Sequence, residues 1–144
     1  MIFIIAAVIL GLDQSVKFLL SKNLSLGQPI PIIKNIFYLT LVHNQGAAFG
    51  VFKNLTFVFV LTAFVVVILI IRDLRQVKKV NLYALSLALI LAGAIGNLID
   101  RLRFGYVIDF FDFRVWPVFN IADSSITIGA ILLGWIICFR KSAR

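Results

Sequence analysis

Apolar residues run almost unbroken through four stretches of the chain, about residues 2–20, 55–71, 80–99 and 121–139. Each approaches the ~20 residues that a helix needs to cross a hydrocarbon core. The first stretch carries Asp13 and Lys17 inside it, a spacing of i, i+4 that allows the two to form an ion pair on one helix face. No basic residue precedes this stretch and no small-x-small pattern follows it, so it reads as a retained helix and not as a removed leader. The pattern predicts a membrane α-helical protein with four transmembrane helices.

The polar intervals alternate in character. Residues 21–54 open with Gly27, Pro29 and Pro31 and continue as "IFYLTLVHNQGAAFGVF", where aromatic and β-branched residues roughly alternate with others. That predicts short strands between residues 30 and 52, forming a small sheet over the outer ends of the helices. Residues 100–120 are dense in Phe, Tyr and Trp, which favour the membrane interface, and are expected to rest at headgroup level. There is no linker or low-complexity tract, and residues 1–144 read as one integral membrane domain.

Composition fixes the solvent. Hydrophobic residues make up 62% of the chain, above the ~45–50% of soluble domains. A net charge of +8 raises the question of nucleic acid, but the distribution of the basic residues answers it. Arg72, Arg75, Lys78 and Lys79 fall in one short interval and Arg140, Lys141 and Arg144 in another, while six others are spread over the two long intervals. By the positive-inside rule the short basic segments and both termini are cytoplasmic, and 21–54 and 100–120 lie outside. Cys138 is the only cysteine and cannot form an intrachain disulfide, and His43 is the only histidine, which excludes a His-rich metal site.

The acids stand out against this background. All six are Asp, and only Asp73 lies in a basic interval, where a solvated charge partner is the simplest reading. Asp13, Asp100, Asp109, Asp112 and Asp123 fall in or beside the outer half of the membrane. Charged residues within spans cost about 2.5–3.5 kcal/mol at the centre and usually face a partner, a cavity or a site. Structural readings exist for each. Asp100 is placed to pair with Arg101, Asn97 to bond a neighbouring helix, Gly93 and Gly96 to let helices approach, and Asp123 to cap the fourth helix. Asp109 and Asp123 lie on separate elements, so only the fold brings them together. If it does, one carboxylate serves as base on a water while the other, protonated, polarises a carbonyl. On composition and spacing alone, a paired-Asp hydrolase, a small transporter or channel, and an assembly subunit all stay open.

The stretches "LDQSVK" (12–17), "NQGAAFG" (44–50), "AGAIGNLIDR" (92–101), "VIDFFDF" (107–113) and "FNIADSSITIG" (119–129) resemble, in order and spacing, the successive motifs of the lipoprotein signal peptidases, the type II signal peptidases of bacteria. The resemblance implies an intramembrane aspartic endopeptidase of the cytoplasmic membrane that cleaves diacylglyceryl-modified prolipoproteins on the amino side of the lipidated cysteine. Its fold is four transmembrane helices with an outer β-cradle. It implies Asp109 and Asp123 as the catalytic pair, with Asn44, Asn97, Arg101 and Asn120 around them. Asp13, Lys17 and Asp100 match positions tied to stability or site architecture. It implies no metal or other cofactor, no nucleic acid, membrane lipid as surroundings, and a monomer.

Overall fold

The computed structural model describes residues 1–46 and 56–139. Its elements run α1 (Ile2–Asn23), β1 (Pro29–Ile33), β2 (Phe37–Asn44), α2 (Thr56–Gln76), α3 (Leu82–Phe104), β3 (Val107–Asp112) and α4 (Ile121–Phe139). All four helices are long and apolar enough to cross a membrane. Helices α2 and α4 expose large apolar side chains such as Phe57, Leu61, Phe64, Ile131 and Trp135. In water they would form a patch far larger than a soluble monomer carries, whereas lipid tails match them.

Helix α3 is the axis of the bundle, packing against α1, α2 and α4. Its buried residues include Ala84, Leu87, Ala88, Leu91 and Ala92, the three-to-four spacing of one helix face. Small residues set the helix spacing. A Cβ on Gly96 would lie 2.8 Å from an Asp13 carboxylate oxygen, and one on Gly93 would collide with the carbonyl of Ala122. The helix starts at Asn81, whose side chain accepts from the Ala84 amide at 2.8 Å. It ends at Gly105, left-handed with φ of 79°, where a residue without Cβ is at no disadvantage. The chain then turns back as β3.

The strands form one antiparallel sheet in the order β1-β2-β3. Strands β1 and β2 realise the short strands expected from residue 30 onward; the part of that expectation beyond residue 46 lies outside the described residues. Strand β3 differs from the sequence reading, which gives 100–120 no strand. Five of its six residues are buried, so no alternation of apolar and polar positions marks it. Its second edge is closed by Phe119, whose backbone exchanges hydrogen bonds of 2.8 and 3.2 Å with Phe111. Covered on both edges, β3 carries Asp109 into the interior beside the start of α4.

Candidate active site

The register of β2 against β3 sets Val42 opposite Asp109 and Asn44 opposite Val107. Asn44 is therefore the diagonal neighbour of Asp109 on the same face, and its amide donates to Asp109 Oδ2 at 2.9 Å. The other oxygen, Oδ1, accepts from Asn120 Nδ2 at 2.6 Å. Asp109 is only 1% exposed. Burial pushes its carboxyl up to about 7, and the negative charge of Asp123 adds to the effect, while the Asn44 and Asn120 amides oppose it.

Asp123 reaches the same place from α4. The sequence suggests it as the cap of that helix; instead the helix begins at Ile121 and Asn120 is the cap. Asn120 Oδ1 accepts from the Asp123 amide at 2.8 Å, and Asp123 Oδ2 accepts from the Asn120 amide at 3.3 Å. This is a reciprocal capping box with Asp in the third position, and it fixes the Asp123 side chain against the helix end. Asn97 Nδ2 donates to Asp123 Oδ1 at 2.7 Å. Asn120 thus touches both carboxylates, through its side chain and through its backbone, and also donates to Asn97 Oδ1 at 3.2 Å.

Beneath the pair lies a second polar cluster, whose charged members Asp13, Lys17 and Asp100 are buried. Lys17 Nζ is 2.8 Å from Asp13 Oδ2 and 2.8 Å from Asp100 Oδ2, and it donates to Asn97 Oδ1 at 3.3 Å. Asp100 therefore pairs with Lys17 and not with Arg101, because adjacent residues on a helix point about 100° apart. Asp13 Oδ1 accepts from the Ala122 amide at 2.9 Å, so an acid of α1 occupies one of the free N–H groups at the start of α4. Asp100 also accepts from the Ile108 amide at 3.2 Å, which ties α3 to β3. Gln14 completes the cluster by donating to Asp13, Asp100 and the carbonyl of Gly96. Sequence reasoning passes over Gln14; its signal is an amide beside Asp13 within an apolar span.

The remaining residues lie around this centre. Arg101 lines a cleft of about 200 Å³ together with Asn44, Gly46, Trp116, Phe119 and Asp123, and its guanidinium lies over the Phe59 ring at 5.2 Å. A more apolar groove of about 350 Å³ runs from Asp123 along α4, between Trp116, Phe119, Thr127 and Ile128. Asp123 borders both spaces. Asp112 is buried but apart from the pair, accepting from the Thr40 hydroxyl at 2.6 Å and the Arg114 amide at 2.9 Å. His43 is exposed and stacked on Tyr106. Asp73 is a surface partner of Arg72 at 3.6 Å.

Two carboxyl groups bridged by one Asn, Asp109 holding a proton near neutrality and Asp123 bordering the cleft, can supply an acid and a base side by side. The family described as "Signal peptidase (SPase) II" matches residues 5–139. The lipoprotein signal peptidase of Halothermothrix orenii is 46% identical over 133 residues, covering 92% of both chains. That of Caldanaerobacter subterraneus subsp. tengcongensis is 47% identical over 145 residues, covering both in full. A solved bacterial membrane enzyme structure, determined by the in meso method, superposes with a TM-score of 0.88 at 30% identity, over 99% of this chain and 92% of the other. The chain belongs to the signal peptidase II family.

Proposed function

We propose that the protein is an intramembrane aspartic endopeptidase that removes signal peptides from prolipoproteins, cutting on the amino side of the diacylglyceryl-modified cysteine. The observation that carries the reading is the bridging of Asp109 and Asp123 by Asn120. The two carboxyl groups share one proton. The ionised member takes a proton from water as the water oxygen bonds to the scissile carbonyl carbon, and the protonated member donates to the carbonyl oxygen. Collapse of the tetrahedral intermediate breaks the C–N bond, and the departing amine takes up a proton from the pair. Asn44, Asn97 and Asn120 hold the carboxylates in place, and Arg101 faces the substrate backbone from the cleft wall.

The groove beside Asp123 supports the substrate class. Its apolar lining along α4 suits the acyl chains of a substrate anchored in the bilayer, while the adjoining cleft admits the peptide and the water. Such a site belongs at the depth where chains and headgroups meet. The asymmetry of basic residues supports an orientation with the termini in the cytoplasm and the site near the outer face. One chain supplies both carboxylates and their described partners, so a monomer suffices.

The test is to incubate detergent-purified protein with a diacylglyceryl-modified prolipoprotein and with its unmodified form, reading products by mass. The modified form should give a fragment beginning at the lipidated cysteine. Equal cleavage of both forms would remove the lipid groove from the account. Acid and base both come from the pair, so chelators should leave the rate unchanged; a chelator-sensitive rate restored by a metal would contradict the aspartic mechanism.

A further inference from the structure

At the end of the bundle away from the carboxylates, the start of α1, the end of α2 and the start of α3 border an open cleft of about 580 Å³. Its lining divides into two kinds of residue. Arg75, Lys78 and Lys79 supply three cations, and Phe3, Leu74 and Val80 are among the apolar walls. No acid lines it among the described residues. The nearest acid in sequence, Asp73, is engaged elsewhere, by Arg72 and by the Tyr83 hydroxyl at 3.3 Å. Arg75, Lys78 and Lys79 make no salt bridge among the described residues. Helix α1 opens here on Met1, with no side chain capping its first amides, which adds the positive end of a helix dipole.

Three cations with no counterion among the described residues, around one cleft at the end of spans whose outer surfaces are apolar, form a site for a ligand that is anionic at one end and hydrocarbon at the other. We propose that the cleft holds the headgroup of an anionic bilayer phospholipid, with its acyl chains lying along the exposed apolar side chains of Phe3, Ile4 and Leu69. A soluble phosphate would satisfy the cations but gain nothing from the apolar walls. The proposal uses none of the carboxylate residues and is independent of the proteolytic reading.

A basic residue near the surface strengthens the hold on an anionic lipid by about fivefold, so three together contribute on the order of 100-fold. The probe is the full chain released from nanodiscs containing equal phosphatidylglycerol and phosphatidylcholine, with bound lipid read by native mass spectrometry. The wild type should retain phosphatidylglycerol preferentially. The triple variant Arg75→Gln, Lys78→Gln, Lys79→Gln should lose that preference, and the control pair Lys22→Gln, Lys34→Gln should keep it. If the triple variant does not fold, the single substitutions carry the test, each lowering retention about fivefold. Undiminished retention in the folded variants overturns the proposal. So does displacement of the lipid by millimolar inorganic phosphate, which would make this a soluble-anion site.

Discussion

A carboxyl as buried as Asp109, hydrogen-bonded by two neutral amides and facing a second carboxylate, keeps its proton to about pH 7. Above that pH Asp109 gives up the proton that the carbonyl needs, so the cleavage rate should fall with an apparent midpoint near 7 that belongs to the pair. The Asn44 amide favours the charged form. Removing it in Asn44→Ala should therefore raise the pKa of Asp109 and move the alkaline limb upward, which a pH–rate profile will show; an unmoved or lowered limb would disprove the role given to Asn44. Asp112, three residues along, touches Thr40 and the Arg114 amide instead. Asp112→Asn should keep near-normal turnover, whereas Asp112→Ala strands the Thr40 hydroxyl and should cost about 1–3 kcal/mol in unfolding experiments. The acids are legible in the sequence because an apolar chain has few reasons to carry them. Gln14 and the capping role of Asn120 are not, since an amide gains its meaning only from the groups that the fold turns toward it.

The elements are joined by the Asp13, Lys17 and Asp100 cluster, which reaches from α1 to α3, β3 and the first turn of α4. Lys17 is the only cation in contact with both acids among the described residues and is 2% exposed. Lys17→Met should leave two buried carboxylates unpaired and destabilise the fold by about 3–5 kcal/mol, read as a large drop in thermal midpoint in detergent. Adding Asp13→Asn and Asp100→Asn should recover part of the loss, because the uncompensated charge is then gone; no recovery would mean that packing and not charge explains the defect. The four helices can be read from sequence because lipid demands long apolar runs, and β1 and β2 because aromatic and β-branched residues follow turn-forming Gly27, Pro29 and Pro31. Strand β3 cannot, because neighbours on both edges and α3 beneath erase the alternation on which strand reading depends.

For the whole molecule, the spread of Lys and Arg predicts that residue 34 is outside the cell membrane. In a Cys138→Ser background, Lys34→Cys should react with an impermeant thiol reagent in intact cells, and labelling only after lysis would reverse the orientation. That asymmetry is legible because it is a property of composition along the chain. The meeting of Asp109 and Asp123 is not, because it depends on a sheet register and a helix cap at once. In the proposed mechanism these two carboxylates act as one unit. The direct measurement is the rate of cleavage of a diacylglyceryl-modified prolipoprotein by purified Asp109→Asn, Asp123→Asn and double-variant proteins whose thermal unfolding matches the wild type. Each single variant should be as inactive as the double, the non-additivity of groups that work together. Near-normal turnover by either folded single variant would show that the reacting carboxylates lie elsewhere.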